Sequence, residues 1–250
     1  MANWKAPFAD SYPIYDDIGD QIHTIVCGSS GCGKSVVIEG VMYNLVNRYT
    51  PDELEIYLID PKMTDLFDFS VLPHVRGYAD NDNDAMTILD TLRIVMDRRN
   101  KWCQEHGYKV YPGGMIYCFV EEAGDLVTRR GREAITKIQI LVQKARTANI
   151  HLVFCAQTVN RKLFPTEVQA NLTCKVALKV RKDDKTLSRL LVGSDACMKL
   201  PKHGKCILIT PDSDYDDDDV RDVPMYEDIR FEFMFDYWRR QSAAGRSARV

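Results

Sequence analysis

Residues 28–35 read Gly28-Ser-Ser-Gly-Cys-Gly-Lys-Ser35 and fit the pattern G-x-x-x-x-G-K-[ST]. No other stretch restricts the fold so tightly, because the pattern works only as a turn from a strand into a helix. Glycines at 28, 31 and 33 let the backbone wrap a polyphosphate with its N–H groups pointing inward. The helix that follows adds the positive end of its dipole. The flanks suit this: residues 22–27 are an apolar, strand-like run and residues 34–48 are helix-like. The motif assigns Gly28, Ser29, Ser30, Gly31, Cys32, Gly33, Lys34, Ser35 and Val36 to a nucleotide's phosphates. Lys34 is placed to reach the β- and γ-phosphates of ATP, and Ser35 to ligate Mg²⁺. The plainer alternative is a Gly-rich turn that caps a helix and binds nothing. Cys32 is read as the filler of a variable position, in a setting that favours a lowered thiol pKa.

The rest of the chain supplies the fold that such a loop needs. Strand-like runs occupy residues 22–27, 55–60, 115–120, 150–156, 174–180 and 205–210. Helix-like runs occupy 34–48, 84–104, 132–148 and 183–191. In the second of these, Ile88, Leu89, Leu92, Val95 and Met96 form one apolar stripe. Short apolar strands alternating with helices predict an α/β fold, a mostly parallel sheet with helices on both faces. Residues 1–20 read as an extended N-terminal arm and 21–211 as the main domain. Residues 212–222 read as a self-repelling acidic loop, with six aspartates between 212 and 219. An aromatic segment over 223–241, with Phe231, Phe235 and Trp238, is expected to pack on the body or on a neighbouring subunit. Residues 242–250 read as a flexible tail.

Composition narrows the setting. Eight cysteines include no Cys-x-x-Cys pair, which argues for a reducing, cytoplasmic environment and against a zinc or disulfide framework. No apolar run reaches the roughly 18 residues of a membrane span, and no signal peptide is visible. The net charge of −3 hides a strong asymmetry. Residues 1–128 carry net −10, residues 129–205 net +12 and residues 206–250 net −5. A basic block of that size suits a polyanionic partner, although solvated helix faces produce the same pattern.

A nucleotide-hydrolysing site of this type needs a second acidic position at a strand end, to hold Mg²⁺ and orient water. The run Met115-Ile-Tyr-Cys-Phe-Val120 delivers Glu121 and Glu122 to such an end, on a strand expected beside the phosphate loop. Glu121 is assigned to the Mg²⁺ side and Glu122 to polarising the attacking water. Strand 150–156 ends at Gln157, an amide suited to sensing the γ-phosphate.

Several blocks, in order, resemble the FtsK/SpoIIIE family of DNA translocases. They are Gly28–Ser35 with its helix, the segment 49–63 with Asp60-Pro-Lys62, the basic stretch 96–101, and the block from Gln143 through Ala145 and Arg146 to Gln157. Asn171 and Gly204 also fall where that family has such residues. The resemblance covers roughly residues 20–210. It implies a RecA-like P-loop NTPase core that assembles as a hexameric ring around double-stranded DNA, using ATP and Mg²⁺. It assigns Lys34 and Ser35 to phosphate and metal, Glu122 to catalysis and Gln157 to sensing. It also implies that Arg146 acts on the neighbouring subunit's nucleotide, with Arg181 as the second candidate. Pore-facing DNA contacts are expected from two basic loops, carrying Arg129, Arg130 and Arg132, and Arg161 and Lys162.

Three departures from the family pattern stand out. Glu121 replaces an expected Asp, which lengthens the reach to Mg²⁺. The family's membrane domain and its DNA-reading winged helix are not recognisable, and neither is most of the domain before the motor. This suggests a stripped motor that takes its targeting from a partner protein. Two other readings of the residues stand beside the translocase. One is a type VII-like protein-secretion ATPase domain, and the other a nucleotide-binding interaction module that has lost turnover.

Overall fold

The computed structural model describes residues 12–63, 66–212 and 220–247, with side chains to residue 241. Its frame is one eight-stranded sheet in the order β3-β2-β4-β5-β1-β6-β7-β8. In chain order the strands are β1 (His23–Cys27), β2 (Leu54–Ile59), β3 (Val75–Ala79), β4 (Met115–Val120), β5 (Ile150–Ala156), β6 (Cys174–Ala177), β7 (Lys205–Ile209) and β8 (Val220–Asp222). The first six run parallel, while β7 is antiparallel to β6 and β8 antiparallel to β7.

The helices are α1 (Pro13–Gly19), α2 (Lys34–Arg48), α3 (Asp82–His106), α4 (Ala123–Arg130), α5 (Arg132–Lys144), α6 (Thr166–Gln169), α7 (Lys185–Val192) and α8 (Phe231–Ser247). Side chains alternate across the strands and feed two separate cores. On one face Ile25, Cys118, Val120, Leu152 and Phe154 pack with α3, α5 and α7. On the other, Val26, Phe119, Val153 and Cys155 pack with α1, α2 and α8. Both faces of the central strands are covered, which is why these strands read as continuous apolar runs.

The sequence placed most elements and misread others. The supposed extended arm contains α1, a helix of seven residues. It is too short to show a period, and tertiary packing holds it. The buried Tyr15 ring lies over Gly40 of α2, where a Cβ would sit 2.2 Å from it. Residues 1–11 of that arm, and residues 213–219 of the acidic loop, lie outside the described residues. The end of the acidic segment is β8, which extends the sheet beyond the expected domain limit at 211. Edge strand β3 carries Arg76 and Gly77 and lacked an apolar signature. The aromatic segment does pack on the body, because Phe231, Met234 and Trp238 are buried in the core that contains Tyr43 and Phe69. Its helix continues to Ser247, inside the stretch read as a tail. Strand β4 is not beside β1 as expected, since β5 lies between them.

Candidate nucleotide site

The parallel strands β1, β2, β4, β5 and β6 all end at one edge of the sheet, and the predicted phosphate, metal and catalytic residues other than Arg146 collect there. The loop after β1 is pinned at its start. Gly28 N–H donates to Ala156 O at 3.4 Å, and Ser29 N–H donates to Lys179 O at 2.8 Å. Gly31 and Gly33 take positive φ values of 68° and 97°, where side-chain residues are strained. A Cβ on Gly33 would meet nothing within 4 Å, so the concave face of the loop is open. Gly28 is the opposite case. A Cβ there would sit 2.7 Å from Cys32 Sγ and 2.8 Å from Leu178 Cβ.

Lys34 begins α2 and is buried, with its ammonium folded back onto its own loop. It donates to Gly28 O and Ser29 O, each at 3.1 Å. These are neutral acceptors, for which an anionic phosphate would compete. Cys32 is buried in the loop, and desolvation raises its thiol pKa despite the nearby Lys34 charge. The lowered pKa expected from sequence is therefore corrected: burial outweighs the cation.

The two glutamates divide in environment. Glu121 is buried at the end of β4, and its carboxylate faces the Cys155 thiol on β5. Burial first, and then this neighbour, push the Cys155 thiol pKa up. Glu122 sits at φ 49° and ψ 52°, a left-handed conformation costing a glutamate on the order of 1–3 kcal/mol. That turn caps α4 and swings the side chain toward the cleft. Its Oε2 accepts from Gln157 Nε2 at 2.8 Å. The intervening strand β5 makes this contact possible, since it places Gln157 between the loop and Glu122.

A cleft of about 560 Å³ joins these groups. Ser30 to Val36, Glu121, Glu122 and Gln157 line it, whereas Gly28 and Ser29 contribute through Lys34. The sequence reading missed the other walls. Lys62, from the loop after β2, is one. Leu178, His203 and Gly204 form another, and residues 223–227 close the mouth with Met225 and Tyr226 exposed at the rim. Gly204 stands out in the sequence only as a position of the family resemblance. Nothing local in residues 223–227 signals a binding wall, because β8 alone brings them there.

The basic candidates have separate fates. Arg129 and Arg130 lie in α4 and Arg132 opens α5, with only Gly131 between the helices, so the expected loop is mostly helix. Arg129 grips Asp82 with two nitrogens at 2.8 and 2.9 Å, and Arg130 reaches Glu133 at 3.2 Å. Arg132 is exposed. Arg161 and Lys162 are exposed on a turn that Asn160 Oδ1 organises by accepting from the N–H groups of Lys162 and Leu163. The side chain of Leu163 meets Gly124 of α4, which sets this turn beside that helix. Arg146 is exposed ahead of β5, at the opposite edge of the sheet from the chain's own phosphate loop. Arg181 follows β6 and pairs with Asp183 at 2.8 Å.

The open loop, the buried Lys34 and the cleft volume fit a nucleoside triphosphate. Fold and loop together define a P-loop ATPase of RecA-like architecture. The resemblance read from the sequence is borne out: residues 8–117 match the model of the FtsK/SpoIIIE family. A DNA translocase FtsK of Staphylococcus epidermidis is 28% identical over 217 residues, covering 79% of this chain and 27% of that protein. The chain thus spans about a quarter of the length of such relatives. Among solved structures, the pCW3 conjugation coupling protein TcpA with ATPγS is similar at a TM-score of 0.67 and 14% identity, covering 79% of this chain and 59% of that one. EssC ATPases 2 and 3 of Geobacillus thermodenitrificans are similar at a TM-score of 0.67 and 17% identity, covering 77% and 38%. At these identities the structures speak for the fold alone. Among the described residues no helix is long and apolar enough to cross a membrane.

Proposed function

We propose that this chain is an ATP-driven translocase of double-stranded DNA, acting as a ring whose active sites lie between subunits. The observation that carries the hydrolytic half is the convergence of Lys34, Glu121, Glu122 and Gln157 on one cleft. The DNA half is supported by relatives named DNA translocases and by the basic block over residues 129–205.

In this reading the N–H groups of residues 30–35 cradle the phosphates, and Lys34 exchanges its two carbonyl acceptors for phosphate oxygens. Ser35 and Glu121 would hold Mg²⁺, whose charge neutralises the phosphates when bound. The extra methylene of Glu121 over an aspartate sets its carboxylate nearer the phosphate loop, at some cost in metal geometry. Glu122 orients the attacking water and accepts its proton. Gln157, bonded to Glu122 at 2.8 Å, links the state of the γ-phosphate to β5 and the turn that bears Arg161 and Lys162. Met225, Tyr226 and Leu178 supply an apolar wall suited to a base.

Arg146 lies at the far edge of the sheet from its own phosphate loop, which supports a role on a neighbour's nucleotide. A hexamer is the ring size the family resemblance favours. Arg132, Arg161 and Lys162 would grip phosphates without reading bases. Arg129 and Arg130 would first have to leave Asp82 and Glu133. A targeting partner and a cytoplasmic setting remain part of this proposal. A triplex-displacement assay tests it: the purified protein should strip a third strand from linear duplex in an ATP-dependent manner. ATP turnover without displacement on any duplex length would refute translocation.

A further inference from the structure

Lys62 lies in the cleft, and the nucleotide-handling scheme above gives it no task. Its position is enforced. Asp60, fully buried at the end of β2, accepts from the N–H of Lys62 at 3.3 Å and from the N–H of Leu66 at 3.1 Å. The N–H groups of Lys62 and Leu66 are thus both tied to one buried carboxylate, and Pro61 restricts the backbone just before Lys62. The Lys62 ammonium lies 2.7 Å from Asp125 Oδ2 and 4.0 Å from Glu122 Oε2. Glu122 and Asp125 are one turn apart at the start of α4, so a single cation spans both. Asp125 also faces Arg129 at 3.7 Å, and Arg129 is held by Asp82 at 2.8 Å. A continuous polar chain therefore runs from Gln157 through Glu122, Lys62 and Asp125 to Arg129.

We infer that Lys62 is a positioning residue that restrains Glu122 while the protein is free of DNA, and that Asp125 competes with Glu122 for it. This rests on the hydrolytic reading of Glu122 above. The Gln157 amide at 2.8 Å and the Lys62 ammonium at 4.0 Å face the same Glu122 oxygen, Oε2, and together hold the carboxylate turned toward them. When a DNA phosphate takes Arg129, Asp125 loses one of its two cations. It then draws Lys62 away from Glu122, and the carboxylate is released. The device makes hydrolysis depend on DNA without any motion of the phosphate loop.

The competition gives opposite signs for two substitutions. Lys62→Met keeps the stem and removes the charge, so DNA-free hydrolysis should rise and the stimulation by duplex DNA should shrink toward none. Asp125→Asn leaves Lys62 to Glu122 alone, so DNA-free hydrolysis should fall and stimulation should be lost. Exposed ion pairs of this kind set the expected change at about two- to five-fold. Affinity for a fluorescent ATP analogue, measured on the same proteins without turnover, should stay within about two-fold for both variants. Lower hydrolysis in both variants, or loss of analogue affinity in Lys62→Met, would assign Lys62 to the nucleotide and overturn the inference. A wild-type protein that binds the analogue but hydrolyses nothing, with or without DNA, would overturn the hydrolytic reading and this restraint with it.

Discussion

Gly28→Ala is the substitution whose consequence the structure determines most fully. The added Cβ would sit 2.7 Å from Cys32 Sγ, 2.8 Å from Leu178 Cβ and 3.2 Å from Lys179 O. Leu178 Cβ cannot rotate away, because it is fixed to a backbone whose N–H donates to Cys27 O at 2.8 Å. The phosphate loop must lift instead, by about 0.6 Å if the contact is to relax from 2.8 to 3.4 Å. Overpacking of this kind costs about 1–3 kcal/mol. In a chain of this size that lowers the melting temperature by roughly 2–12 °C. Lifting the loop also misaligns its N–H groups and Lys34, so affinity for ATP should fall about ten-fold or more, equivalent to about 1.4 kcal/mol. Thermal melts and titration with a fluorescent ATP analogue read both effects. Adding Cys32→Ala removes one contact and leaves Leu178, so the double variant should recover part of the loss. A Gly28→Ala protein that melts and binds like wild type would refute this reasoning. Full recovery in the double variant would refute the role given to Leu178.

Further consequences follow from the same packing. Gly40→Ala drives a methyl into the buried Tyr15 ring at 2.2 Å, so urea unfolding should show a loss of about 3 kcal/mol or more, relieved by Tyr15→Leu. Trp238→Ala empties a buried site against His74 and should cost about 3–5 kcal/mol in the same assay, by undocking α8. Burial pushes the His23 pKa down to about 3 and that of His74 down to about 4. The unfolded chain takes up these protons near pH 6.5, which the folded chain refuses until far lower pH. Stability is therefore fully present above about pH 6.5 and is lost as pH falls toward 4, by roughly 3 kcal/mol for His74 alone. His74→Gln should flatten that slope in denaturant titrations at stepped pH.

The sequence was most readable where a local rule and the tertiary structure agree. The run from β1 through the phosphate loop into α2 follows its motif, and β4 and β5 match their predicted limits residue for residue. Lys34, Glu121, Glu122 and Gln157 were legible because each occupies the end of a continuous apolar strand or the motif itself. What failed to show depends on partners distant in sequence. Helix α1 is defined by Tyr15 against Gly40, and β8 by its pairing with β7. The strand order was inaccessible too, since nothing local says that β5 inserts between β1 and β4. That insertion gives Gln157 its contact with Glu122. Lys62 stands out in the sequence only within the family resemblance, and its partner Asp125 lies 63 positions further along the chain. The basic patch misled in part: Arg129 and Arg130 contribute charge to the block but spend it on Asp82 and Glu133.

The central claim, an ATPase site shared between subunits and driven by duplex DNA, is most directly tested by mixing two inactive variants. Lys34→Ala and Arg146→Ala should each lack DNA-stimulated hydrolysis when assayed alone. Mixed together, they should regain it, because an intact phosphate loop on one subunit then meets an intact Arg146 on the next. Continued inactivity of the mixture, or full activity of Arg146→Ala alone, would contradict the account.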